Sequence, residues 1–240
     1  MPLTGIITLI DTLFLFTIGF NLLSTYKKTR QITVLHLALS LIMFAIFTAS
    51  LALPHIYWKN PEQFMVWAHW ALILGFPFLY LHMALASLVP SALKYPSLKW
   101  PLFFGILLIG AIAIVVLILY PDSPYIDQET GITLYRDNPI VGVFGGVGSL
   151  SSLGFFFFIF LLEFFKNKNE FLKKRSLLLS IGALILFLGG PIHGVAGTLV
   201  PIYIMADAFI LIGSIMLWVG IVVLKPKPVA PAIDFDKQWC

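Results

Sequence analysis

The sequence predicts an all-α integral membrane protein: a seven-transmembrane helix bundle with its N-terminus outside and its C-terminus in the cytoplasm. Three observations support this fold class. Hydrophobic residues make up 60% of the 240 residues and charged residues only 11%, against about 25% charged in an ordinary soluble domain. Seven apolar runs are long enough to cross a bilayer, and Lys and Arg lie almost entirely at one set of their ends.

Each apolar run provides the roughly 20 residues that a helix needs to cross a hydrocarbon core about 30 Å thick. The predicted spans are residues 3–23, 32–53, 64–89, 100–120, 140–165, 177–200 and 202–224. The first run is predicted to be a true span and not a cleaved signal peptide, because no basic segment precedes it and Asp11 lies in its middle. We therefore divide the chain into a transmembrane domain, residues 1–224, and a proline-rich cytoplasmic tail, residues 225–240.

The orientation follows from the basic residues. Thirteen of the fifteen Lys and Arg residues lie in the tail or after spans one, three and five, and only Lys59 and Arg136 lie on the other side. Cytoplasmic loops of membrane proteins carry an excess of Lys and Arg. The first group is therefore predicted to lie on the cytoplasmic side of the cell membrane. Because these residues lie at helix ends and form no basic face, the partners expected are lipid and other membrane or cytoplasmic proteins, with no nucleic acid.

The longest outer loop connects spans four and five. Residues 126–136 contain a Glu-Thr-Gly turn between two short β-prone pieces, which predicts a small extracellular hairpin. The glycines of VGVFGGVGSLSSLG follow it in span five. They are predicted to form a thin face on which another helix packs closely.

Ionisable residues inside spans are costly and indicate a functional site. At about 1.5 Å of rise per residue, Asp11, His69, His193 and Asp207 all fall at a similar depth in the outer leaflet. They predict an outward-facing pocket for a polar ligand or a divalent ion. The alternative, that each side chain is satisfied separately by backbone or interfacial water, stays open. His55, in the first outer loop, is expected only to be solvated.

A second possibility for the histidines is bis-histidine haem b, which needs two His from facing helices at one depth. His36 with His82, in a deeper tier toward the inner side, and His69 with His193, in the outer tier, meet that condition. The 13 residues between His69 and His82 turn a straight helix about 140° out of alignment, although Pro77 can change the register between them. This pattern would make the chain a dihaem electron-transfer subunit of a membrane redox complex.

The sequence lacks the motifs of several enzyme classes. It contains no GxSxG, no HExxH and no paired aspartates at helical spacing. The last span has no lysine to hold retinal. A non-enzymatic protein is therefore expected.

Five features of the layout have a counterpart in a known family. They are the basic first inner loop TYKKTRQ, Gly75-Phe76-Pro77 in span three, the hairpin end LYRDNP, the entry KKRSLLLSIG to span six and the exit GIVVLKPKP from span seven. With them, nearly the whole chain resembles the seven-transmembrane N-terminal sensor region of bacterial and archaeal histidine kinases. The resemblance implies a stand-alone, receptor-like module that signals through a partner, and it assigns no ligand residues.

Three functions are thus open from the sequence. The leading one is a sensor or accessory membrane protein with an outward-facing ligand pocket. The dihaem subunit is the first alternative, and a structural subunit of a membrane assembly is the second.

Overall fold

The computed structural model describes residues 3–121, 124–127, 132–134, 139–195 and 200–223. The elements in chain order are α1 (Leu3–Thr29), α2 (Ile32–Ala52), a 3-10 turn (Leu53–Tyr57), α3 (Pro61–Lys94), a second 3-10 turn (Pro96–Leu98), α4 (Lys99–Leu119), β1 (Tyr125–Asp127), β2 (Ile132–Leu134), α5 (Pro139–Ser149), a π-helical segment (Leu150–Gly154), α6 (Phe155–Lys166), α7 (Glu170–Val195), α8 (Val200–Trp218) and a second π-helical segment (Val219–Val223). The first π-helical segment joins α5 and α6 into one continuous helix, so the described residues form seven long helices.

The helices extend beyond the predicted apolar runs. α1 continues past residue 23 and carries Lys27 and Lys28 in its last turn, where cations interact favourably with the helix dipole. Arg30 then adopts a left-handed conformation, with φ of 56°, and its N–H donates to the Tyr26 carbonyl at 2.7 Å. This C-cap ends α1 and lets α2 begin at once in the opposite direction.

Consecutive helices pack side by side, and the last closes the bundle. α1 contacts α2, α2 contacts α3, α3 contacts α4 and α4 contacts α5; α7 packs on α6 and α8, and α8 returns to α1. α3 also contacts α5 and α6, which makes it the most central helix. We call the end that carries the two strands the hairpin end, and the opposite end, with the clustered Lys and Arg, the basic end.

The outer surface of the bundle is apolar. Large hydrophobic side chains are exposed along α4, including Leu108, Val115 and Leu119, where a soluble protein would expose charge. Within the described part of the chain, six helices are long and apolar enough to cross a membrane: Leu3–Thr29, Ile32–Tyr57, Pro61–Lys94, Pro96–Leu119, Pro139–Lys166 and Pro201–Ile221. The predicted all-α, multi-pass membrane bundle is therefore confirmed.

α7 and α8 approach each other closely at two glycines. A methyl group built on Gly213 would lie 2.8 Å from the Gly182 carbonyl oxygen, and one on Gly182 would lie 3.0 Å from the Gly213 carbonyl oxygen. Without a driving force from water, small residues that let backbones approach are what membrane helices use to associate. The α7–α8 pair is held in this way.

The predicted pairing of two short strands between spans four and five is also confirmed. β1 and β2 pair antiparallel, with Tyr125 opposite Leu134 and Asp127 opposite Ile132. Ile132 and Thr133 are buried, and the Thr133 N–H donates to Thr4 Oγ1 at 3.0 Å. The hairpin therefore packs on the start of α1 at this end of the bundle.

Candidate ligand-binding site

A cavity of about 550 Å³ lies below the hairpin, and we call it the hairpin-end cavity. This is within the size range of small-molecule pockets. Side chains from α1, α2, α3, α5, α7 and α8 form its wall, together with Thr133 of β2. The wall is mainly aliphatic and aromatic. Its polar side chains are Thr4, Thr8, Asp11, Thr48, His55, His82, Thr133, Ser149, Tyr203 and Asp207.

The two carboxylates predicted for an outer pocket both line this cavity. Asp11 is 3% exposed and Asp207 is 9% exposed, and the two groups are close enough to interact electrostatically. Asp11 Oδ1 has no hydrogen-bond partner among the described residues. A buried carboxylate oxygen without a partner is costly, so this atom is the most conspicuous polar group of the cavity wall.

Helical periodicity brings the polar residues of α1 to the cavity. Thr4, Thr8 and Asp11 follow one another at spacings of four and three, so they share one face of the helix. The Thr8 hydroxyl donates to the Thr4 carbonyl at 2.7 Å. One turn further, Thr12 Oγ1 donates to Thr48 Oγ1 at 2.9 Å and ties α1 to α2. On α8 the same periodicity places Tyr203 on the face of Asp207.

His55 was expected to be solvated, and this expectation is wrong. It is fully buried, lines the cavity and lies with Nδ1 3.4 Å from Thr133 Oγ1. The reason is that the loop after α2 is a 3-10 turn that packs on α3, with the His55 ring 5.6 Å from the Phe64 ring. The sequence offers one signal for this: His55 follows Pro54 within an apolar stretch.

His82 is the second histidine of the cavity wall. It is 2% exposed, its Nδ1 lies 3.0 Å from the Ser40 carbonyl oxygen, and its ring stacks on Phe44 with centroids 4.5 Å apart. A carbonyl only accepts, so Nδ1 carries the proton and donates to it. Although predicted to lie in a deeper tier, His82 reaches the same cavity because the cavity extends down along α3.

The remaining predicted pocket residues lie elsewhere. His69 is half-buried beside Trp70, with ring centroids 6.0 Å apart, and does not line the cavity. One residue step turns a helix by about 100°, so His69 is rotated away from the buried Ala68. The side chain of His193 is outside the described residues, although its backbone belongs to α7. Of the four residues predicted to form the outer pocket, the two carboxylates line the cavity.

The histidine pair His36 and His82 does not fit a haem between α2 and α3. Ser40 Oγ donates to the His82 carbonyl at 3.1 Å, so the two helices are in contact at this depth and leave no slot for a porphyrin. His36 has a buried Nδ1 without a hydrogen-bond partner in the described ranges, and its charged neighbour is Lys99. The pairing of His69 with His193 stays a prediction, which the absorption spectrum of the purified protein tests.

Glycines enlarge the cavity. The interpretation of span five as a thin face for helix packing is wrong for Gly142, Gly145 and Gly146: a methyl group on any of them would meet no atom within 4 Å. All three line the cavity instead. Gly148 does pack closely, 3.0 Å from Met83 Sδ. The absent side chains therefore create the volume on this side.

Comparisons with known proteins assign no function to this cavity. No protein-family model matches this chain, and no curated protein matches it. Among the described residues, no group of three or more His, Cys, Asp or Glu side chains could hold a metal ion. The chemistry of the cavity itself is therefore the basis for assigning a function.

Proposed function

We propose that this protein is a non-enzymatic, seven-transmembrane sensor of the cell membrane, with the N-terminus outside and the C-terminus in the cytoplasm. α7 completes the seven spans. The hairpin end then faces outward and the basic end inward, as the distribution of thirteen against two basic residues favours. The hairpin-end cavity is the ligand site, and a membrane or cytoplasmic partner receives the signal at the basic end.

The observation that carries this proposal is a second concave site at the basic end, which shares α2, α3 and α7 with the cavity. This cleft, of about 410 Å³, is lined by residues of α2, α3, α6 and α7 and by Ile221. Lys94 of α3 and Glu163 of α6 pair across it at 2.6 Å. Arg175 Nε of α7 donates to the Gly220 carbonyl at 2.8 Å. A change in helix position at the cavity therefore alters polar contacts that line or flank the cleft.

The π-helical segment provides a joint between the two sites. Ser149 and Leu153 line the cavity, whereas Phe156, Phe160 and Glu163 of the same continuous helix line the cleft. Leu150–Gly154 contains Leu153 and ends just before Phe156, so the π-helical segment lies where the helix passes from the cavity to the cleft. π-bulges are rare and are frequent at functional sites, and a change in such a bulge rotates the helix beyond it. Rotation of α6 would act directly on the Lys94–Glu163 pair.

The resemblance to the sensor regions of histidine kinases supports the same proposal. In such a region, ligand binding outside the membrane is converted into a change at the cytoplasmic side. In this chain the cavity and the cleft are the two sites that such a conversion needs.

The orientation is tested with the single cysteine, Cys240. A membrane-impermeant maleimide is expected to label Cys240 only after cells are permeabilised. As a control, Glu129→Cys in a Cys240→Ser background is expected to react in intact cells. Labelling of Cys240 in intact cells would refute the orientation.

The coupling is tested by filling the cavity without a ligand. Gly146→Leu places a side chain in the open space of the cavity, and an environment-sensitive fluorophore on Leu172→Cys, in the Cys240→Ser background, reports on the cleft. The emission maximum is expected to shift. Gly105→Leu is the matched control, because Gly105 is also a helical glycine with open space but lines neither site. Equal spectra for the two variants would refute the coupling.

A further inference from the structure

The described part of the hairpin-end cavity wall is acidic. Asp11 and Asp207 both line it, and no Lys or Arg belongs to the described part of its wall. The two histidines of the wall lie against other partners, His55 against Thr133 and His82 against Ser40. A buried carboxylate in an apolar surrounding is costly unless a proton or a cation compensates its charge, and Asp11 lies in such a surrounding.

Asp11 has a buried oxygen that a ligand can satisfy. Its Oδ1 has no hydrogen-bond partner among the residues that the structure describes, although the side chain is 97% buried. Asp11 also lines the cavity. A group that binds there with an N–H donor would satisfy this oxygen, and a charged donor would do so with a stronger hydrogen bond than a neutral one.

Part of the cavity wall is aromatic. Phe44 and Phe47 stack with ring centroids 6.1 Å apart, and Phe76 meets Phe47 edge-on at 6.3 Å. All three line the cavity. Such a wall accepts an aryl or alkyl body by apolar burial, and the ring faces also attract a nearby cation.

The cavity reaches the surface at residues of α5 and α7. Gly142 and Val143 of α5 and Gly190 of α7 are exposed and also belong to its wall. A compound that partitions into the bilayer would enter between these helices. The combination of an apolar entry, an aromatic wall and buried carboxylates selects for an amphipathic cation.

We propose that the hairpin-end cavity binds an amphipathic amine, with its ammonium group at Asp11 and Asp207 and its apolar body against Phe44, Phe47 and Phe76. This inference rests on the proposed function only in taking the cavity to be the ligand site. It adds the chemical class of the ligand and the residues that distinguish it from neutral compounds of the same shape.

The test uses three isosteric probes on the full chain in lipid nanodiscs: 4-phenylbutylamine, 4-phenyl-1-butanol and 4-phenylbutyrate. Isothermal titration calorimetry is expected to show the amine binding at least tenfold more tightly than the alcohol, with the carboxylate weakest. Asp11→Asn and Asp207→Asn are each expected to remove most of this preference and to leave the affinity for the alcohol unchanged. Glu62→Gln, an exposed carboxylate at the start of α3, is the matched control and is expected to behave as the wild type.

The outcomes separate this inference from the proposed function. If the amine and the alcohol bind equally, and Gly146→Leu abolishes both, the cavity is a ligand site but the amine inference is wrong. Stabilisation by Na⁺ alone, lost in Asp11→Asn and unaffected by the amine, would identify a small-ion site and overturn it as well. Should an aspartate variant fail to fold, loss of amine binding in folded Gly146→Leu, with the amine preference intact in the wild type, still supports the proposal. Binding of none of the probes overturns it.

Discussion

The contact between α7 and α8 predicts opposite effects of one substitution at two glycines. In Gly213→Ala, the new methyl group would lie 2.8 Å from both the Gly182 carbonyl oxygen and the Leu186 backbone nitrogen. Both are backbone atoms, so no side chain can rotate away and the two helices must separate. In Gly105→Ala, on α4, the methyl group meets nothing within 4 Å.

The expected changes in the free energy of unfolding are the sum of two contributions. Overpacking of a core costs about 1–3 kcal/mol, and Ala is better than Gly in a helix by about 0.8–1.0 kcal/mol. Because backbone must move, Gly213→Ala is expected to lose about 1–2 kcal/mol net, which lowers Tm by roughly 2–8 °C for a chain of this size. Gly105→Ala has only the favourable term and is expected to raise Tm by roughly 2–4 °C.

The assay is thermal stability in mild detergent, measured as the fraction of protein that remains monodisperse after heating. Wild type, Gly213→Ala and Gly105→Ala are compared in the same detergent and lipid. A Gly213→Ala variant as stable as Gly105→Ala would show that α7 and α8 do not meet at Gly182 and Gly213. The helix arrangement described above would then be wrong at this contact.

Two further predictions concern the polar contacts of the hairpin-end cavity. Thr4→Val removes the acceptor of the Thr133 N–H and is expected to lower the stability of the hairpin contact by about 1 kcal/mol, which is measured as faster hydrogen exchange in the hairpin. Thr17→Val is the control, because the Thr17 hydroxyl bonds only within α1. Equal exchange in the two variants would contradict the hairpin contact. Ser40→Ala removes the hydroxyl that bonds the His82 carbonyl and is expected to lower stability by about 1 kcal/mol, measured by thermal unfolding; no change relative to wild type would argue against a direct α2–α3 contact at this depth.

Much of the fold could be predicted from the sequence because the responsible signals are local. An apolar run of sufficient length becomes a membrane helix whatever its neighbours are, since lipid leaves the backbone no other way to satisfy its hydrogen bonds. The hairpin was equally local, with a turn sequence between two β-prone pieces. Helix ends were less predictable, because α1 and α3 continue into polar residues that the apolar runs exclude.

The candidate site was only partly predictable. Depth along the membrane placed Asp11 and Asp207 in one tier, and both line the hairpin-end cavity. Depth also placed His69 with them and left His55 in solvent, and here the structure differs. Helix rise determines depth, but the direction of a side chain depends on how each helix is rotated and on what packs at the end of the bundle.

The sequence by itself determined that the chain is a bundle of apolar helices with most of its basic residues at one end, because composition and charge act residue by residue. The tertiary structure alone decided that Asp11 and Asp207 share a cavity with His55 and His82 and that the glycines of α5 supply its volume. These relations depend on packing between residues far apart in the chain. The rotation of each helix, and with it the set of side chains that meet, is determined only when all the helices are packed together.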